Sequence, residues 1–476
     1  MKYKFFIILC FSLSFGKISL AQNTLSFEEY MTLVEKYHPL VKQANLITDR
    51  AEGEIRAARG LFDPKLFHDR TAKDFENKEY FDLQNSGLKV PTWFGVEVKA
   101  GYEYNTGKFL NPENNVTDNG LTYLGVSLPI LQGFVIDKRR AELRKAQLYR
   151  DMSVQEQQLQ LNDVLFDAIS AYWNWSQTYE VYQVYKEAIA VSEERYGFVK
   201  QSFRFGDVPA IDTLEALILL QNRQISTQEA RLKYVKASLE LSNYLWYENS
   251  TPLEVTDSIV PTSFENHVIL LSECREILDE IDQTILQSPA ILAYNFKLRQ
   301  LDVDRRLKAE KLKPKLNVNY NLLQRDFGAQ DFMLQNNYKW GLSFSFPIFL
   351  REARGNLQVA RLKIQQTQFD LDQKKRVLKN KLVAVFNQLE TYQDLMELTN
   401  DNANNYQRLF NAEVIKVSIG ESSLFKLNAR EVKLLEARAK YAKMSTERLI
   451  SYYLFYWTIG TIPTSFNLGF PDPDND

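Results

Sequence analysis

The chain has 476 residues, 25% of them charged, and a formal net charge of −2. It lacks the basic excess of a nucleic-acid binder, which argues against nucleic acid as a partner. Its two cysteines and three histidines offer no disulfide framework and no metal-ligand spacing, and there is no nucleophile elbow or phosphate-binding glycine loop. Nothing in the sequence asks for an enzyme, a cofactor or a metal.

The first predicted element is a secretory signal over residues 1–21. Lys2 and Lys4 precede an apolar core from Phe5 to Phe15, and Ser19 and Ala21 supply small residues before a cut ahead of Gln22. Cys10 lies inside that core without the small residues of a lipoprotein site, so no lipid anchor is expected. Removal of Lys2, Lys4 and Lys17 takes the formal charge to −5 and leaves one cysteine, Cys274, with no obvious role. No later apolar run is long enough for a membrane helix. The nearest, from Leu449 to Ile459, reads as a buried helix end. A membrane part must therefore be a β-barrel.

Residues 25–61 are helical in character, with Ser26 and Glu29 placed as a capping box and Pro39 as an interruption. Pro64 ends this stretch. Residues 65–90 lack clean strand alternation, because Leu66, His68 and Arg70 would share one face. That segment is expected to leave and rejoin the barrel rim, either plugging the lumen or packing beneath it. Clean strands follow at about 95–105 and 121–128. In the first, Val96, Val98, Ala100, Tyr102 and Tyr104 alternate with polar residues and Gly101. In the second, Leu124, Val126 and Leu128 alternate with Gly125 and Ser127. One apolar and one polar face suits a strand between lipid and water, or a half-buried soluble sheet.

A very long helix is predicted over about 136–205, with no proline and glycine only at Gly197. Its seam is aromatic: Leu165, Ala168, Tyr172, Trp175, Tyr179, Tyr182, Ile189 and Tyr196, read as core packing. A turn at 203–212 and a return helix over about 210–248 complete a first unit, 22–252. After an irregular link, 253–271, the pattern repeats over 272–463. Strands are expected at about 315–323 and 338–346, a long helix at about 351–419, a turn at 417–425 and a return helix at about 422–459, then a tail, 464–476. Pro39 and Pro64 recur as Pro289 and Pro314 at one offset, Pro129 as Pro347, and Gly206 as Gly420. Repetition over that range marks two tandem copies of one unit. In the second long helix Leu378, Leu382, Val385, Leu389, Tyr392, Met396, Thr399, Ala403, Tyr406 and Phe410 step by four and three, a heptad seam free of charge. At about 1.5 Å per residue each long helix reaches roughly 100 Å, which suits a tube or a stalk. The turn glycines suit a left-handed residue at a tight helix reversal.

With these pieces in order, the chain resembles the outer-membrane factors of the TolC family. The resemblance rests on the opening Leu25, Ser26, Phe27, Glu28, Glu29, Tyr30 with His38 and Pro39; on Ser127, Leu128, Pro129, Ile130, Leu131; and on the two turn sequences. It covers nearly the whole mature chain. It implies a mixed α/β membrane protein: a homotrimer in which four strands per chain close a twelve-stranded β-barrel, continuous with a long periplasmic α-helical barrel. The link and the tail would form a belt around its middle. It also implies residence in the outer membrane of a Gram-negative bacterium, in contact with its lipid, and a role as exit duct of a tripartite efflux system. A periplasmic adaptor and an inner-membrane RND or ABC transporter would be the partners. Type I polypeptide secretion is the alternative, and a non-channel periplasmic coiled-coil protein a second one. The adaptor would meet the turns, at Phe205, Gly206, Asp207 and Val208 and at Ile419, Gly420, Glu421, Ser422, Ser423 and Leu424. Asp207, Asp212, Glu215 and Glu421 would triplicate into acidic rings at the periplasmic mouth and favour cations. Read singly, each is equally a solvated helix end.

Overall fold

The computed structural model describes residues 23–264, 267, 269–325 and 337–463. The expected signal, most of the loop between the last two strands and the C-terminal tail lie outside the described residues. In chain order the first unit runs β1 (Asn23–Leu25), α1 (Phe27–Tyr37), α2 (Pro39–Arg59), β2 (Lys65–Phe75), β3 (Lys78–Pro91), β4 (Glu97–Thr106), β5 (Leu121–Pro129), α3 (Lys138–Phe205) and α4 (Ala210–Ser242). The link holds β6 (Trp246–Tyr247), β7 (Thr251–Pro252) and β8 (Ile259–Pro261). The second unit holds α5 (Leu271–Asp279), α6 (Ile281–Gln287), α7 (Pro289–Glu310), β9 (Lys315–Gln324), β10 (Tyr338–Ser345), α8 (Arg351–Ser418) and α9 (Leu424–Ile459). α4 ends at Ser242, short of the expected 248, because β6 folds back to pair with β7.

Local chemistry sets the helix starts. Ser26 and Glu29 close the expected capping box, each side chain bonding the other's backbone N–H at 3.1 Å. Pro39 and Pro289 each stand at the first helical position, where the missing N–H costs nothing. Every residue of the two predicted seams is buried or half-buried. The largest core lies midway along the long helices, where α1 inserts between them. Phe27, Tyr30, Met31 and Val34 of α1 meet Tyr172, Trp173 and Trp175 of α3 and Tyr453 and Phe455 of α9. Three of the polar tips there have partners: Tyr30 donates to the Ala168 carbonyl (3.1 Å), Tyr172 to that of Leu25 (2.9 Å), and Trp175 Nε1 to Ser238 (3.1 Å), whereas Trp173 Nε1 is buried without an acceptor. β8 pairs with β1 in parallel at this level, and Phe264 joins the core, so the link packs at the middle of the helices. Cys274 is fully buried in the same core, and burial pushes its thiol up to about 11.

Six strands, not four, form one antiparallel sheet in the order β10-β9-β5-β4-β3-β2. The segment 65–90 is therefore neither plug nor underpinning. It is a hairpin turning at Glu76 and Asn77, both left-handed (φ 54° and 58°), the two-residue turn that matches strand twist. Its broken alternation has a physical cause. The polar residues on its apolar-side face satisfy one another: Arg70 grips Asp82 through two hydrogen bonds (3.1 and 2.7 Å), and His68 Nδ1 lies 2.7 Å from the Ser86 hydroxyl.

Leu66, Leu88, Ala100, Leu124, Leu322 and Tyr338 are successive partners across the whole sheet, so they share a face. Val98, Val126, Tyr320 and Trp340 form the next row of that face. The other face carries Lys99, Gly125, Asn321 and Lys339. Exposed Trp340, Leu342 and Phe344 sit on the apolar side, and Trp93, Phe94, Phe134, Ile348 and Phe349 are exposed where strands give way to helices. An apolar band with an aromatic girdle at its edge is the outer surface of a membrane barrel. Leu124 lies about 13 Å above the strand ends at about 3.4 Å per residue and a tilt of about 40°, close to the bilayer midplane. Leu124→Arg should cost about 2–4 kcal/mol in stability. Val98→Arg, one residue from the rim, should cost less, and Asn319→Arg on the polar face should leave assembly intact and change conductance. Equal loss of assembled protein for Leu124→Arg and Asn319→Arg would reverse the assignment of the two faces.

Candidate functional site

The far ends of the long helices carry the sequence-predicted site. Gly206 (φ +83°) ends α3 and Gly420 (φ +76°) follows α8, both left-handed. The hydrogen bonds are the same at both. Gly206 N–H donates to Phe203 O (3.0 Å) and Asp207 N–H to Ser202 O (3.0 Å); Gly420 N–H donates to Val417 O (3.1 Å) and Glu421 N–H to Lys416 O (2.8 Å). These reversed bonds satisfy carbonyls that a helix end otherwise leaves bare. A Cβ on either glycine would touch nothing within 4 Å, so φ alone demands glycine. Pro209 sits one residue before α4 as its N-cap, and Ser423 caps α9 by accepting the Lys426 N–H (3.4 Å).

Phe205, Gly206, Asp207 and Val208 thus form one turn, and Ile419, Gly420, Glu421, Ser422, Ser423 and Leu424 surround the other. Asp207 and Glu421 are exposed in the turns; Asp212 and Glu215 are half-buried in the first turns of α4. The helix N-terminus already favours an acid at Asp212. Around these turns large apolar side chains stand in solvent. Phe205 is 81% exposed, Phe425 68% and Ile211 65%, with Leu214, Ile415 and Ile419 also exposed. Such a patch at the end of the paired long helices marks an interaction surface.

Just above the turns lies a charge cluster that sequence reasoning missed. Glu431 of α9 is buried and accepts from Arg195 Nη1 of α3 at 2.7 Å; Arg195 also reaches Asn428 at 2.8 Å. Arg223 of α4, itself buried, has Nη2 3.9 Å from the same carboxylate. Burial lowers the pKa of Arg223, against the pull of Glu431, which raises it. Three helices are tied together by one carboxylate. Glu413 of α8, also buried, accepts the Ser422 hydroxyl and lies 3.9 Å from Arg430 Nε, closing the second turn. A signal for both acids existed. Glu413 is the next seam position after Phe410, and Glu431 stands between Leu427 and Leu434 at seam spacing.

Among the described residues no group of three or more His, Cys, Asp or Glu is placed to hold a metal ion. No helix there is long and apolar enough to cross a membrane.

The sequence profile of the outer membrane efflux protein family matches residues 90–245 and 281–456. No curated protein sequence matches. Among solved structures, the Campylobacter jejuni CmeC outer membrane channel aligns with 92% of this chain and 86% of its own at 15% identity and a TM-score of 0.66. The Neisseria gonorrhoeae MtrE outer membrane channel in its open state aligns with 91% and 88% at 14% identity and 0.65. VceC, an outer membrane protein of Vibrio cholerae, aligns with 91% and 95% at 11% identity and 0.64. The apolar-faced antiparallel sheet, the paired long helices and a family match over most of the length converge: this chain belongs to the outer membrane efflux protein family, whose members are exit ducts of the Gram-negative outer membrane with a large periplasmic part.

Proposed function

We propose that three copies of this chain form a passive duct for small molecules, fed by a periplasmic adaptor and an inner-membrane RND or ABC pump, with no catalytic step and no cofactor. The observation that carries this reading is the pairing of an apolar-faced sheet at one end with exposed apolar turns roughly 100 Å away. One end is built for lipid, the other for protein. The adaptor contacts the turns through Phe205 to Val208 and Ile419 to Leu424, where the apolar side chains are presented. Asp207, Asp212, Glu215 and Glu421, repeated threefold, line the mouth and favour cations.

Fractionation with single-channel recording tests both ends. The mature chain should sediment with the outer membrane, need detergent for extraction and run at three times its chain mass. In planar bilayers it should conduct with a cation preference that Asp207→Asn combined with Glu421→Gln reduces. Recovery as a soluble monomer would remove the duct; an unchanged ion preference would remove the acidic rings while leaving the duct.

A further inference from the structure

The extra hairpin changes how the barrel can close. In a twelve-stranded barrel the free edge of β4 would receive β10 of the next copy. Here that edge is taken: β3 pairs with β4 from Asp82 to Pro91. The edges left open are β10 and β2.

The helices lead to the same two edges. Packing within the chain gives the lateral order α4-α3-α9-α8 in the lower half and α2-α3-α7-α8 in the upper half. α8 is therefore one flank, and α4 with α2 the other. Both flanks show unpartnered apolar stripes at heptad spacing: Ile218, Ile225, Leu232 and Leu239 on α4, and Leu362, Phe369 and Val383 on α8, all exposed. A ring of copies places α8 against α4 and α2 of its neighbour. β10 runs into α8 through a short link, and β2 follows α2 after a single 3-10 turn at Gly60–Phe62. The neighbouring flanks thus deliver β10 beside the next copy's β2, and the two run antiparallel.

We propose that the barrel has eighteen strands, closed by three seams between β10 of one copy and β2 of the next. This rests on the trimeric duct proposed above. Two dimensions support it. The partner line from Tyr338 to Leu66 starts at the upper end of β10 and finishes beside the lower end of β2. It falls about six residues in five steps, a slope of about 40° at about 3.4 Å per residue and about 4.8 Å per strand, which is the tilt of outer-membrane barrels. At that slope eighteen strands have a circumference of about 110 Å, which is compatible with that of twelve helices spaced by about 9–10 Å.

The stagger also gives a seam register. Neighbouring strands end level at β3 with β4 and β9 with β10, and are offset by two residues at the other three pairings, β2 with β3, β4 with β5 and β5 with β9. Alignment of the two faces requires an even offset, and two is the even number nearest the mean fall per step. Applied to the seam, that offset sets Thr71 opposite Gly341 on the polar face and Ala72 opposite Trp340 on the apolar face. Gly341 has open space for a side chain.

The test is cysteine cross-linking in the full-length protein in its own outer membrane, with a short bifunctional thiol reagent. Thr71→Cys combined with Gly341→Cys should give reducible species at two and three times the chain mass. Neither single variant should do so, since Cys274 is buried. Lys99→Cys combined with Ser345→Cys, which places thiols across a twelve-strand seam, should give none. Trimers by native size that link through Lys99→Cys and Ser345→Cys, or through neither pair, would overturn the eighteen-stranded barrel and leave the duct standing. Monomers by native size would overturn both.

Discussion

Replacing Glu431 with alanine should be among the most destabilising single changes in the periplasmic half. The carboxylate is 4% exposed and stands between two guanidinium groups, Arg195 at 2.7 Å and Arg223 at 3.9 Å. Removing one partner from a buried pair leaves an uncompensated buried charge, at about 3–5 kcal/mol. Here two arginines lose one anion, and Arg223 already has Nε without an acceptor. The loss should appear as earlier thermal melting of helical circular dichroism in detergent. Glu431→Gln keeps an acceptor and the volume, so it should fall between. Replacing Glu431, Arg195 and Arg223 together with apolar residues of similar size should recover much of the stability, because the desolvation penalty goes with the charges. A melting temperature for Glu431→Ala equal to that of the unmodified protein would mean that water reaches the cluster and screens it.

Glu431 also marks a boundary of what sequence reading reaches. The features legible beforehand have local causes. Ser26 with Glu29, the prolines that open α2 and α7, the turn glycines and the four-three seam of α8 are each written within a few residues. The strands β4, β5, β9 and β10 were legible because each alternates by itself. The β2–β3 hairpin was not, since Arg70 and His68 sit on the apolar side only by virtue of Asp82 and Ser86 on the next strand. A single-strand pattern does not contain its partner. Glu431 fails for the same reason at longer range. It interrupts a seam visibly, but the arginines that compensate it lie on two other helices, more than two hundred residues earlier. The turns behave differently again. Their conformation was legible from glycine, while their role rests on the exposed Phe205, Ile211 and Phe425 around them.

Valine at Gly206 and Gly420 together should separate conformation from role. Both positions are left-handed, and neither is crowded. A β-branched residue in that region is strained, at about 1–3 kcal/mol per site. Each helix would relieve the strain by giving up its closing bonds, those from Asp207 to Ser202 and from Glu421 to Lys416. The turns would then open and shift Phe205 and Phe425, exposed side chains of the proposed adaptor-docking end. The core around Trp175 and Phe455 and the sheet beyond it lie many helical turns away and share no contact with these glycines. Trimer yield and membrane insertion should therefore stay near normal, while adaptor cross-linking and export fall together. Alanine at the same positions shares the left-handed penalty without the branch and should lose less. Normal cross-linking and export in the valine variant would reduce the turns to connections. Loss of trimers would mean that the turns hold the tube together, and the docking end would have to be sought elsewhere on the helices.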